Sequence, residues 1–230
     1  MNAVVTGATK GIGRAIVELF AKQGYNVAFC ARTTADVEAF QQTLQAQYEG
    51  KFLGVVVDMS DKQAVKDFGA LVKEKWNSVD VLVNNAGVFI PCPLTDSSTE
   101  DAFETMMDLN LYSAYYLTQS LLPLMLAQQK GHVFNMCSIA SIMPYGAYAV
   151  SKHALLGFSR VLREEVKDKG IRVTAILPGA TYTASWDGTA LPQERFMKAE
   201  DIAQSLWDIY QLSQQTVVEE IVLRPQLGDI

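Results

Sequence analysis

The sequence has 230 residues, of which 49% are hydrophobic, 10% aromatic and 19% charged. That is enough apolar side chain for a packed core and too much for a disordered chain. A formal net charge of −6 leaves no basic footprint for a phosphate backbone, which argues against a nucleic-acid partner. Cys30, Cys92 and Cys137 show no paired spacing, and only His132 and His153 stand beside them, so neither a disulfide framework nor a metal shell is expected. The chain opens on MNAVVTGATKG, with no basic start or long apolar run, and its most apolar helical stretch, Leu121 to Ala127, is far too short for a membrane span. A cytoplasmic protein without a membrane partner is the expectation.

In chain order, short runs rich in Val, Ile and Phe alternate with amphipathic segments. The pattern predicts strand Ala3 to Thr6, helix Ile12 to Gln23, strand Asn26 to Cys30, helix Ala35 to Tyr48, strand Phe52 to Val57 and helix Lys62 to Trp76. Strand Val79 to Val83, helix Glu100 to Gln128, strand His132 to Met136 and helix Ala147 to Asp168 follow. Strand Arg172 to Ile176, helix Asp201 to Leu212 and strand Glu220 to Leu223 complete the series. Most of the strands are continuous apolar runs, as strands covered on both faces should be. Ser98 with Asp101 resembles a capping box, and Gly24 and Gly170 sit where helix C-caps belong. No linker, repeat or low-complexity tract divides the chain. The reading is an α/β fold: a single doubly wound (Rossmann) domain over residues 1–230, with a seven-stranded parallel sheet and helices on both faces. Thr183 to Met197, aperiodic and containing Trp186, Gly188 and Pro192, reads as a small mobile substrate lid.

The first chemical motif is Thr6-Gly7-Ala8-Thr9-Lys10-Gly11-Ile12-Gly13, where the first strand hands over to the first helix. Glycines there permit a tight turn and close backbone approach, and the helix N-terminus offers N–H groups to a pyrophosphate. At the end of the second strand, where an acid would bind the ribose 2′-hydroxyl of NAD, the sequence reads Cys30-Ala31-Arg32. Arg32 and Lys10 are instead suited to grip a 2′-phosphate, which favours NADP(H) over NAD(H); the plainer alternative is two solvated surface cations. Tyr148 and Lys152 are four apart at the start of a helix and share a face, with Cβ atoms roughly 5 to 6 Å apart. A phenol with a cation beside it exchanges a proton readily with a carbonyl or alcohol oxygen. Ser138, just beyond the fifth strand, stands at the sheet edge where ligands sit and is placed to polarise the same oxygen.

Together, Thr6-Gly7-x-x-x-Gly11-x-Gly13, Asn84-Asn85-Ala86-Gly87, Asn110, Ser138, Tyr148-x-x-x-Lys152 and Pro178-Gly179 resemble the compact, single-domain short-chain dehydrogenase/reductases. The resemblance runs from the first strand to the sixth, in the family's order. It implies that Tyr148 is the acid/base, that Lys152 assists it and holds the nicotinamide ribose, that Ser138 orients the substrate oxygen, and that Asn110 holds a water linking Lys152 to solvent. It also implies cofactor contacts from the glycine turn (Gly7, Thr9, Lys10, Gly11, Ile12, Gly13), from Arg32, and from Asp58 and Met59 beside the adenine. Asn85, Ala86 and Gly87 would lie along the adenine ribose, with Asn84 bracing the sheet, and Pro178, Gly179, Thr181 and Thr183 would position the carboxamide.

Two departures stand out. Only ten positions separate Ser138 from Tyr148, which keeps Ser141 open as a substitute, and the ending Leu223 to Ile230 is unlike the glycine-rich ending of the family's acyl-carrier-protein reductases. Cys137 reads as a small buried hydrophobe, His153 as a bystander, and His132 as a strand start near the surface. Tyr112, Tyr115 and Tyr116 read as core or subunit contacts.

The function expected is an NADP(H)-dependent oxidoreductase that reduces a ketone or aldehyde to its alcohol. Its pocket should be apolar, walled by Phe89 to Cys92, Ile139 to Tyr145 and the lid, for a small hydrophobic carbonyl or alcohol. A homodimer or homotetramer is expected through the long helices. The rivals are a non-catalytic NADP(H) sensor on the same fold, and the family's longer epimerase or dehydratase branch, for whose extra substrate domain 230 residues leave no room.

Overall fold

The computed structural model describes residues 1–183, 186 and 188–230, with the exception of the Ser97 side chain. Seven strands, β1 (Asn2–Thr6), β2 (Asn26–Ala31), β3 (Phe52–Val56), β4 (Val81–Asn84), β5 (Gly131–Met136), β6 (Ile171–Pro178) and β7 (Glu220–Leu223), form one sheet in the order β3-β2-β1-β4-β5-β6-β7. Every pairing is parallel, and β1 is in register with Val27 to Cys30 on one side and Val81 to Val83 on the other.

The period-two alternation of strands sorts the core into two layers. Ala3, Val5, Val27, Phe29, Val81, Val83, Phe134 and Ile176 face one layer, while Val4, Ala28, Cys30, Leu82, Val133 and Val173 face the other. Helices α1 (Gly11–Lys22), α2 (Thr34–Gln47) and α7 (Ala199–Gln211) cover the first layer. Helices α3 (Lys62–Lys75), α5 (Ser113–Gln128) and α6 (Gly146–Val166) cover the second. Burying a side chain such as Phe29 or Phe134, each wholly enclosed, contributes about 1.5–3 kcal/mol. Phe20, Tyr25, Trp207 and Tyr210 form an edge-packed aromatic cluster that ties α1 to α7, with ring centroids 5.1 to 6.1 Å apart. No helix among the described residues is long and apolar enough to cross a membrane.

Three local expectations fail. The segment expected as one helix from Glu100 to Gln128 is α4 (Glu100–Met107), a π-helical turn at Asp108–Tyr112, and α5. Asp96, not Ser98, opens this region, its carboxylate accepting from the Ser98 N–H at 2.9 Å and the Ser98 hydroxyl at 2.6 Å. His132 is not near the surface. It is fully buried, stacked on Phe134 at 3.9 Å and bonded through Nε2 to Thr174 Oγ1 at 2.8 Å. The reason is that β5 lies between β4 and β6, and Tyr210 and Arg172 close over the start of the strand. Burial, and then the Arg172 charge, push the His132 pKa well below the ordinary histidine value.

Candidate active site

The chain leaves β1 toward β2 on one side and crosses to β4 on the other, so the carboxyl ends of β1 and β4 open a crevice. A cavity of about 710 Å³ lies there, running from the glycine turn after β1 to Tyr148 on the first turn of α6.

At one end, Gly7 and Gly11 adopt φ of +63° and +53°, in the left-handed region that favours glycine. Gly13 is required by proximity: a Cβ there would lie 2.3 Å from the Gly7 carbonyl oxygen and 2.5 Å from Asn85 Nδ2. Asn85 clamps this turn, donating from Nδ2 to the carbonyls of Thr6 at 2.9 Å and Gly7 at 3.0 Å. Thr6 Oγ1 accepts in return from the backbone N–H groups of Asn85 and Ala86. No acidic side chain occupies the first turn of α1, and Lys10 makes no side-chain cap. A tight turn and an uncapped helix N-terminus suit a dinucleotide pyrophosphate.

At the other end, Lys152 is 4% exposed; its Nζ donates to the Met136 carbonyl at 2.9 Å and lies 5.8 Å from the centre of the Tyr148 ring. Phe89 meets that ring edge-on, with centroids 5.1 Å apart. Ser138 Oγ accepts from the Ala140 N–H at 3.1 Å, which leaves its own proton available to a ligand. Ser141 is buried, its Oγ accepting from the Ser138 N–H, and it is not on the cavity wall, whereas Ser138 is. Cys137 is buried with its thiol pushed up to about 11, chiefly by desolvation.

Asn110 stands one layer behind the wall. The π-helical turn carries it inward, 1% exposed, where its Oδ1 accepts from the Val88 N–H at 2.7 Å. Its Nδ2 donates to the Val88 carbonyl at 3.0 Å and to Ser151 Oγ at 2.9 Å. A Cβ on Gly87 would meet Asn110 Oδ1 at 3.0 Å and Lys152 Nζ at 3.3 Å, so these three positions converge. Asn84 braces the sheet, donating to Thr118 Oγ1 and Asn135 Oδ1.

Of the residues expected to bind cofactor, all line the cavity except Asp58. Asp58 is exposed and spends its carboxylate on the Ser60 N–H at 2.9 Å and the Ser60 hydroxyl at 2.7 Å, bonds that hold it below the usual carboxylate range. The expected pocket walls hold for Phe89, Ile139, Ala140, Tyr145 and Trp186 but not for Cys92, whose carbonyl accepts from Ala147 N–H at the start of α6. Of the expected lid, residues 184, 185 and 187 lie outside the described residues. Trp186 packs edge-on against Phe196, and a bridge between Thr181 and Met197 anchors the segment at its base.

The family model for the short-chain dehydrogenases matches residues 1–193. The chain belongs to the short-chain dehydrogenase family. It is similar to a sepiapterin reductase of Chlorobaculum tepidum, 36% identical over 99% of this chain and 97% of that protein. Among solved structures it resembles an alcohol dehydrogenase from Thermococcus sibiricus complexed with 5-hydroxy-NADP, at 29% identity and a TM-score of 0.91 over 100% of this chain and 98% of that one. It also resembles the L-sorbose reductase of Gluconobacter frateurii complexed with NADPH and L-sorbose, at 26% identity and a TM-score of 0.89 over 97% and 95% of the two chains. This short-chain dehydrogenase is therefore an oxidoreductase.

Among the cavity-wall residues that the family pattern did not point to are Asp36, Asp229 and Ile230. Asp36, in the first turn of α2, lies with its Oδ2 3.0 Å from Lys10 Nζ, so an acid does stand beside the expected phosphate site. Asp229 and Ile230, which belong to no motif, also reach the wall. A turn at Gly228 (φ +85°) and an ion pair from Arg224 Nη1 to Asp229 Oδ2 at 2.6 Å bring their segment back against Gly179. Asp229 Oδ1 is enclosed without a hydrogen-bond partner among the described residues.

Proposed function

We propose that this short-chain dehydrogenase is an NADP(H)-dependent carbonyl reductase that converts a ketone or aldehyde to its alcohol. The observation that carries the reading is one cavity lined at one end by the glycine turn, Lys10 and Arg32, and at the other by Ser138, Tyr148 and Lys152. The crystallised relatives bound to 5-hydroxy-NADP and to NADPH support the same cofactor.

The residues present fit a dinucleotide. Gly7, Gly11 and Gly13 allow close approach of a pyrophosphate to the α1 N-terminus, and Lys10 and Arg32 hold the 2′-phosphate. Met59, Ala86 and Gly87 flank the adenosine, with Asn85 holding the turn. Pro178, Gly179, Thr181 and Thr183 back the nicotinamide. When bound, the nicotinamide supplies the hydride for the carbonyl carbon. Ser138 donates its free hydroxyl proton as a hydrogen bond to the carbonyl oxygen and fixes its position. Tyr148 transfers its phenolic proton to that oxygen as charge develops there, leaving a neutral alcohol. Lys152 has three donors, one of them given to Met136; the others serve the ribose and the phenolate that remains. Asn110 secures the Val88 backbone under Phe89 and Tyr148. The apolar walls accept a hydrophobic carbonyl, so hydrophobic ketones and aldehydes form the class to screen first.

Tyr148→Phe tests the mechanism. Once a substrate has been found with wild type, the variant should bind NADPH with little change in affinity while turnover falls by about 10² to 10⁴, the range for a general acid. Near wild-type turnover in the variant means the proton comes from elsewhere. NADPH binding by wild type with no turnover across a carbonyl and alcohol panel selects the sensor instead.

A further inference from the structure

One of the two cations at the adenosine end of the cavity is already paired with a carboxylate. Lys10 Nζ is 3.0 Å from Asp36 Oδ2, with the lysine side chain 66% and the aspartate side chain 33% exposed. Arg32 is close enough to Asp58 for its charge to act on that carboxyl, after the larger effect of the Ser60 hydrogen bonds. Of these two carboxylates only Asp36 shares the cavity wall with the cations. It sits in the first turn of α2 while Lys10 is the residue before α1, so the ion pair spans the two elements that bound this end of the cavity.

We infer that Asp36 is a specificity-determining residue that competes with a 2′-phosphate for Lys10 and so narrows the preference between phosphorylated and unphosphorylated cofactor. The inference rests on the proposed placing of the 2′-phosphate between Lys10 and Arg32. A phosphate arriving there must take Lys10 from an anion and then sit beside that anion. A 2′-hydroxyl makes no such demand, and the ion pair persists. Because the pair is exposed, its loss is worth about a two- to fivefold change in an equilibrium rather than an all-or-none switch. Asp36 is thus a tuning residue, one that leaves NADH usable by a site otherwise built for phosphate.

Calorimetric titration with NADPH and NADH, at low salt, tests this on wild type, Asp36→Asn, Lys10→Gln and the double variant, with Arg32→Ala as a control. Asp36→Asn keeps the shape of the side chain and deletes its charge. It should tighten NADPH about two- to fivefold and leave NADH unchanged, and the gain should shrink in the Lys10→Gln background and at high salt. An unchanged NADPH-to-NADH ratio in Asp36→Asn, or weaker NADPH binding, overturns the role given to Asp36. If Arg32→Ala and Lys10→Gln both leave NADPH affinity untouched, the phosphate site itself is misplaced, and this inference falls with it for that separate reason.

Discussion

Asn110→Ala is expected to cost about 2–3 kcal/mol of stability and to slacken the active-site wall. The side chain makes three hydrogen bonds, two of them to the N–H and C=O of Val88 and one to Ser151. Ser151 keeps a second partner, because its hydroxyl also donates to the Tyr148 carbonyl at 2.8 Å. Val88 loses both of the side-chain bonds that hold its backbone, and each polar group left without a partner costs about 1–3 kcal/mol when buried. Val88 is only partly buried, so water recovers some of that, and about 1 kcal/mol per group is the reasonable value. The small cavity left at a position 1% exposed adds to the cost. For a chain of this size each kcal/mol shifts the melting temperature by about 2–4 °C, so thermal unfolding followed by circular dichroism should show a loss of roughly 5–10 °C. Because Phe89 follows Val88 and packs on Tyr148, turnover should fall as well. A melting temperature within about 1 °C of wild type would refute the assignment of Asn110 as the clamp on Val88, since no relaxation could restore both backbone bonds.

The cofactor, the acid limb and the assembly give further checks. Arg32→Ala should weaken NADPH at least about tenfold relative to NADH, the loss of a charge-assisted phosphate contact; calorimetry showing a constant ratio would contradict it. His132, held neutral by burial and by the Arg172 charge, has a folded-state pKa below its unfolded value. The unfolded chain therefore binds a proton first as pH falls, and the stability present above about pH 6.5 is lost at up to about 1.4 kcal/mol per pH unit below it. Melts between neutrality and pH ~5 should show this slope in wild type and a shallower one in His132→Gln; equal slopes would assign the acid sensitivity to other groups. Tyr112 and Tyr115 are exposed by 43% and 38%, as is Val161 by 59%, and the apolar surface they present on α6 and around the start of α5 should be covered in a homodimer or homotetramer. Light scattering that gives a monomer mass at micromolar concentration would exclude this.

The sheet was legible because its central strands are covered on both faces, so that Ala3 to Val5 of β1 and Val27 to Ala31 of β2 appear as unbroken apolar runs with no solvent face to interrupt them. The same rule misjudged the bounds of β4, which runs Val81–Asn84 rather than Val79 to Val83. Asn84 belongs to the strand and is buried, but its amide is satisfied by Thr118 and Asn135, partners distant in sequence. The break in the long helix was invisible for a related reason. A π-helical turn needs no glycine or proline, and Asp108–Tyr112 has a helix-compatible composition; only Asn110, a polar residue in an apolar run, marked the place. The position of His132 at a strand start suggested exposure, whereas burial there is decided by Arg172 and Tyr210, reached through β6 and α7. The glycine turn, Ser138, Tyr148 and Lys152 were readable because each is tied to a strand end or a helix start. Asp36 and Asp229 were not, because each gains its place only through an ion pair that the folded chain assembles.

The two ends of the sheet divide the work between them. At the carboxyl ends of β1, β4, β5 and β6, positions are given to glycine, to an open hydroxyl and to a buried ammonium, all of them poor choices for stability. Lys152 exchanges full hydration for one carbonyl and the proximity of a ring, and Gly7 and Gly11 forgo side chains altogether. At the opposite end the polar groups serve packing. Arg172 reaches the carbonyls of Tyr210 and Leu212, Tyr25 bonds to Tyr210, and Thr174 joins His132 to the Val218 carbonyl. That end fastens α7 and β7, and through Arg224 the turn that sets Asp229 against Gly179 depends on the same edge strand. Weakening the histidine end at low pH should therefore loosen the Asp229 wall before it disturbs Tyr148, which α6 holds independently through Ser151 and Asn110. An acid-induced rise in KM that precedes any fall in kcat would be the kinetic mark of this arrangement, and a simultaneous loss of both would show that the two ends melt as one unit.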